Sequence, residues 1–202
     1  MQYSLAQTVA PTDPVLTADD FQEHTRETDN FEEALLADRY IPAATVWCQD
    51  ACSRQFINAT WEFKLPRFPS GDETEWPLEG YDLLIPIAPL SSVASIIYLD
   101  PDGASQTLAS SVYSDDTASK PPRINLAYGQ AWPAIRHWNL PITITLVAGY
   151  GTSASDVPEN FRQAVRYVTT GLFEHRGQLP EYIEQAARSM LFTDSPILMS
   201  AL

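Results

Sequence analysis

Hydrophobic period changes twice along this chain. Residues up to about 57 place apolar side chains at helical spacing, residues 58–155 alternate with a period of two, and residues 156–202 return to helical spacing. A helix buries one stripe and a strand one face, and neither outer part has enough surface to bury a core of its own. The order therefore predicts an α+β protein. The N- and C-terminal helices form a small bundle, and an antiparallel β domain is inserted between them. The expected parts are residues 1–57, 58–155 and 156–202, the last ending in an apolar tail.

Local signals fill in this outline. Thr17 is a candidate N-cap with Asp19 and Asp20 in the first turn, where the helix dipole favours acids. A longer helix is expected from about Asp29 to Gln55, carrying Phe31, Leu35, Leu36, Ala43, Val46, Trp47 and Ala51 near a 3.6-residue period. Pro42 either kinks it or divides it in two. Residues 60–65, 92–99, 107–113, 123–128 and 142–148 read as strands, and residues 83–90 as an extended stretch. Asp100-Pro101-Asp102-Gly103 signals a hairpin turn. Pro158 opens a helix running to about Gly177, with Asp156 as its expected cap, and Pro180 starts a last helix to about Phe192. The tail that follows holds Ile197, Leu198, Met199 and Leu202, an apolar set that water disfavours and a docking surface would accept.

Charge narrows the function. The net charge is −14, from 26 acids against 12 bases, and the deficit is spread as about −7, −5 and −2 over the three parts. Neutralising nucleic-acid phosphates needs clustered Lys and Arg, so a binder of that kind is disfavoured. No apolar run reaches the length of a membrane helix, and the polar first fourteen residues lack the basic start of a signal peptide. Cys48 and Cys52 fit two small buried residues better than a disulfide or a zinc site, which wants four ligands.

The remaining constellations are weak as chemistry. His24, His137 and His175 have no metal-ligand spacing, and His175 suits a helix end. Gly149-Tyr150-Gly151-Thr152-Ser153 lacks both the nucleophile-elbow order and a phosphate-loop lysine. Asp100-Pro101-Asp102-Gly103 lacks the later ligands of a calcium loop. Scattered acids leave a two-carboxylate hydrolase open by counting alone. Trp47 and Trp61 fall on core-facing positions. Trp132 and Trp138 lie beside Pro133 and Pro141 in a loop and are the better candidates for a sugar platform. A carbohydrate-binding β module is thus the alternative reading. No catalytic residue, metal or cofactor is expected.

A series of segments, taken in order, resembles the head–tail connector proteins of tailed bacteriophages, also called adaptor or head-completion proteins. It begins with Leu16-Thr17-Ala18-Asp19-Asp20-Phe21 and a helix ending in Ala51-Cys52-Ser53-Arg54-Gln55-Phe56. Thr60-Trp61-Glu62-Phe63 and Leu65-Pro66-Arg67-Phe68-Pro69 follow. Next come Ile85-Pro86-Ile87-Ala88-Pro89-Leu90-Ser91-Ser92-Val93 and Ile96-Ile97-Tyr98-Leu99-Asp100-Pro101-Asp102-Gly103. The series closes with Tyr128-Gly129-Gln130-Ala131-Trp132-Pro133, Val147-Ala148-Gly149-Tyr150-Gly151 and Val157-Pro158-Glu159-Asn160-Phe161-Arg162-Gln163-Ala164. Each piece alone is weak, and their shared order spans nearly the whole chain.

The resemblance implies a non-enzymatic structural protein of the virion neck, assembled in the host cytoplasm and away from any membrane. Such proteins form a homo-oligomeric ring, commonly of twelve copies, beneath the portal protein. The ring extends the DNA channel and offers a docking surface for the tail or the next neck protein, a stopper or terminator. A terminal extension of such adaptors typically tucks into the portal. Here that contact is expected from Phe192, Ile197, Leu198, Met199 and Leu202. A ring of acidic subunits would repel DNA from its wall, so that it passes without specific binding.

Overall fold

The computed structural model describes residues 3–25, 33–71, 74 and 77–192. Its elements run in chain order β1 (Ser4–Val9), α1 (Ala18–Thr25), α2 (Glu33–Leu35), a π turn (Leu36–Tyr40), α3 (Ile41–Cys52), β2 (Ala59–Leu65), β3 (Leu78–Glu79), β4 (Asp82–Leu84) and β5 (Leu90–Leu99). They continue with β6 (Ser105–Thr107), β7 (Tyr113–Asp116), β8 (Arg123–Leu126), β9 (Ile142–Ala148), a 3-10 turn (Ala154–Asp156), α4 (Glu159–Glu174) and α5 (Glu181–Leu191). The fold is α+β. It divides into a β unit, Asn58–Gly149 with the N-terminal strand, and a helical unit, Pro11–Ile57 with residues 150–192.

In the β unit the described strands form two antiparallel sheets, ordered β1-β2-β9-β5-β6 and β3-β4-β8-β7. The period of two becomes burial directly. Ile142, Ile144, Leu146 and Ala148 of the central strand β9 are buried, while the residues between them are half-buried. Across the ladder Phe63 faces Ile144 and Leu65 faces Ile142, both pairs fully buried. The core gathers these with Leu83, Ile85, Leu90, Ile96 and Ile124. The Asp100–Gly103 turn closes the β5–β6 hairpin, its Asp100 carboxylate accepting the Ala104 N–H at 2.8 Å and the Gln106 amide at 2.9 Å. That carboxylate is spent inside the turn.

β1 is a strand that helical periodicity in residues 1–57 does not announce. Five of its six residues are exposed, so it carries no alternation to read. It is held by its ladder to β2, Ser4 opposite Lys64 through Gln7 opposite Trp61.

The helical unit has a separate core of Leu16, Phe21, Leu36, Ile41, Ala44, Cys48, Cys52, Phe56, Phe161, Ala164, Val165, Val168, Ala187 and Leu191. Thr17 caps α1 as its sequence predicts: its hydroxyl accepts the Asp20 N–H at 3.1 Å, and the Asp20 carboxylate accepts the Thr17 N–H at 3.0 Å. Pro42 resolves differently from a simple kink or break. The chain remains helical from Glu33 to Cys52, but the turn before the proline widens to π geometry, with the Ile41 N–H donating to the Leu36 carbonyl. A wider turn relieves the clash of a proline ring with the preceding carbonyls and leaves fewer bonds to lose. The expected start near Asp29 and the stripe position Phe31 lie outside the described residues. The helix stops at Cys52 rather than Gln55 because Ser53 turns left-handed, φ 53° and ψ 42°.

Pro158 and Pro180 each stand at the N-cap of α4 and α5 rather than inside the first turn. Asp156 does not cap α4. It closes a capping box with Ser153 around the short 3-10 turn.

Candidate docking surfaces

Three places in the described residues could meet a partner: the end of α5, the loop aromatics, and the open edges of the larger sheet. The first is built by α4 and α5. Ile183, Ala187 and Leu191 bury one stripe of α5, and Gly171 of α4 lies so close to the Ile183 and Leu179 side chains that a Cβ there would approach within 2.8 Å. On its outer flank Arg188 is paired with Glu184 at 3.0 Å and lies over the Trp47 ring at 5.3 Å. The Asn160 amide donates to the Met190 carbonyl at 3.2 Å, and the Phe192 N–H donates to Arg188 at 3.0 Å, closing the last turn. Phe192 therefore leaves a helix end that is fixed from two sides, and the residue is 38% exposed. The other tail residues, Ile197, Leu198, Met199 and Leu202, lie outside the described residues.

The loop aromatics correct one expectation. Trp132 is no open platform: its indole stacks on Phe68 at 4.8 Å and 5°, and its Nε1–H donates to the Tyr81 carbonyl at 3.1 Å. Trp138 is 64% exposed, with the Arg136 guanidinium 5.8 Å from its ring. The two tryptophans expected at the surface are thus spent differently, one as packing and one as surface. Sequence could not show this, because Phe68 is far from Trp132 along the chain. Trp47 and Trp61 pack against the two cores, as their positions predict.

The other singled-out residues serve structure. Cys48 and Cys52 are buried free thiols, and the Cys52 thiol donates to the Cys48 carbonyl at 3.0 Å. Burial pushes both thiols up, Cys52 to about 11. His175 caps α4, near the Tyr182 hydroxyl at 3.4 Å. Gly149-Tyr150-Gly151 is a strand exit: the Gly149 N–H donates to Pro89, and the Tyr150 hydroxyl accepts the buried Arg54 guanidinium at 2.9 Å. Local hydrogen bonds hold several carboxylates below the usual range: Asp20 through Thr17, Asp100 through Gln106 and Ala104, Asp116 through Ser119, and Asp156 through Ser153. These four groups stay ionised to lower pH than free carboxylates do. A recess of about 220 Å³ is lined by the apolar Pro14, Leu16, Ala18, Ala37 and Ile41 together with Thr17 and the carboxylates of Asp19 and Glu33.

Sequence reasoning passed over the sheet edges. β1 is the outer strand on one side, and on the other β6 covers only Ile97–Leu99 of β5. The signal was in the charge pattern: residues 1–12 and 83–99 contain no Asp, Glu, Lys or Arg.

No family model matches the sequence, and no curated protein matches it. Solved structures do. The chain is similar to one in the neck of an empty gene transfer agent particle computed with C6 symmetry, at 22% identity and a TM-score of 0.74, over 93% of this chain and 94% of that one. It is similar to a chain of the native gene transfer agent virion at 23% identity and a TM-score of 0.72, over 92% and 93%. It also matches one in the neck of the native particle computed with C12 symmetry, at 21% identity and a TM-score of 0.71, over 93% and 94%. Over more than nine-tenths of its length, then, this chain has the α+β fold of a chain found in the neck of gene transfer agent particles.

Proposed function

We propose that this chain is a structural protein of a virion neck, a head–tail connector of the adaptor kind with no enzymatic activity. It forms a ring of twelve copies beneath the portal protein, extends the DNA channel and presents a surface to the tail or the next neck protein. The observation that carries this reading is the extent of the likeness: 93% of this chain and 94% of a neck chain match at a TM-score of 0.74. The acidic surface fits the same role. A channel wall of uniform negative sign repels the DNA backbone and lets it slide.

Portal contact is assigned to the end of α5 and the segment after it, through Phe192, Ile197, Leu198, Met199 and Leu202. The support is an anchored helix end with a partly exposed Phe192, followed by an apolar sequence. An apolar segment laid into a partner's groove has its side chains removed from water.

The test is light-scattering mass and negative-stain imaging of the protein alone and mixed with the portal protein of the same particle. A stoichiometric ring that forms with the portal, and is lost when residues 192–202 are deleted, is the expected result. No ring and no portal binding at high concentration would overturn the connector reading.

A further inference from the structure

The larger sheet ends in two open edges, and they match. One is β1, Ser4–Val9, whose outer side pairs with no described strand. The other is the first half of β5, residues 90–95, beyond the reach of the three-residue β6. Open edges offer rows of unpaired N–H and C=O groups, and proteins usually guard them with charged side chains or proline. Here neither guard is present within residues 4–9 or 90–95. In a chain of net charge −14 that omission matters, because two copies repel almost everywhere else.

We propose that successive copies of this chain join through these edges, β1 of one copy lying antiparallel against residues 90–95 of β5 in the next. Strand sense supports the pairing. β1, β2, β9 and β5 alternate in direction, so β1 and β5 run oppositely within one copy. A rotated copy that keeps its strand sense therefore brings its β1 antiparallel to its neighbour's β5. The two edges are six residues long each. β5 carries bulges between Leu90 and Ser92 and between Val93 and Ser95, and β1 carries one between Gln7 and Val9. Bulges bend an edge away from indiscriminate partners, so this junction selects a strand of matching curvature. The contact is head to tail, the kind that closes into a ring. The inference deepens the connector reading and rests on it.

Cysteine crosslinking of rings assembled on the portal protein tests it. Gln7 and Ser92 are exposed. Gln7→Cys is combined in turn with Ser91→Cys, Ser92→Cys, Val93→Cys, Ala94→Cys and Ser95→Cys, each variant checked for native circular dichroism. Facing residues of paired strands lie about 4.5–5.5 Å apart at Cα, within disulfide reach. Within one copy the two edges are three strand spacings apart, about 14 Å, too far for an internal bond. Cys48 and Cys52 are buried. Oxidised rings should give a disulfide ladder longer than dimer for at least one pair, and none for Gln7→Cys alone. Rings that form with no ladder in all five pairs would overturn the edge pairing and leave the connector reading standing. Absence of any ring would overturn both.

Discussion

Gly149→Ala adds one methyl group at a strand end and should be among the most damaging single changes in the β unit. Gly149 has φ 143°, a conformation L residues rarely adopt, and a Cβ built on it would lie 2.5 Å from the Asn58 backbone nitrogen and 2.6 Å from its Cα. Backbone cannot swing aside as a side-chain tip can. Strain of this type costs about 1–3 kcal/mol, and forcing extra atoms into filled space about 1–3 kcal/mol more. The sum is about 2–6 kcal/mol. Gly129 supplies the control: its φ is 74°, yet a Cβ there would meet nothing within 4 Å. Gly129→Ala should therefore cost only the conformational part, about 1 kcal/mol. For a unit of roughly 100 residues each kcal/mol lowers Tm by about 4–8 °C. Calorimetry of the two variants should place the Gly149 variant at least about 4 °C below the Gly129 variant. Melting of the two within about 3 °C of each other would refute the reasoning that backbone contact with Asn58, beyond the positive φ, demands glycine.

Other outcomes follow from the helical unit. Phe161 is 1% exposed and stacks on Phe56 at 5.4 Å, so Phe161→Ala should cost about 3–5 kcal/mol in urea unfolding. The Asp20 carboxylate is held below its ordinary value, first by the Thr17 N–H and then by the Thr17 hydroxyl. A lowered folded value means that its contribution is complete above the unfolded value of about 4 and is lost as pH falls through the folded one. Asp20→Asn should flatten the acid limb of the stability curve below about pH 4 and leave its slope near neutrality unchanged. The buried thiols of Cys48 and Cys52 should react with a thiol reagent at pH 8 only as fast as the helical unit opens, and at once in denaturant. On the connector reading proposed above, lysine replacements of acids lining the proposed channel should slow DNA ejection from assembled particles, measured by light scattering.

Legibility in the sequence followed the physics of burial. β9 and α4 could be read almost to their ends because each buries one regular face, at a period of two and of 3.6. β1 could not, because an exposed edge strand needs backbone bonds and no apolar alternation. The π turn before Pro42 was hidden for another reason: a proline announces a disturbance and leaves open how neighbouring turns absorb it. Trp132 was misplaced because its partners, Phe68 and the Tyr81 carbonyl, are brought to it only by the fold. For the candidate surfaces, the apolar tail was visible as composition, whereas the open edges required strand order and the short reach of β6.

The division of the helical core between two distant stretches of chain has a consequence for synthesis on the ribosome. α1 to α3 are complete by Cys52, but the helices that share their core begin only at Glu159. Residues 58–149 are made in between, which takes about 5–20 s at ordinary translation rates. The strands of the β unit are all made by Ala148, before α4 begins at Glu159. Leu36, Ile41, Ala44 and Cys48 must meanwhile wait without α4 and α5 to cover them. The nascent chain therefore has a window in which its earliest helices are the ones most exposed to chaperones, and to one another on neighbouring ribosomes of the same message.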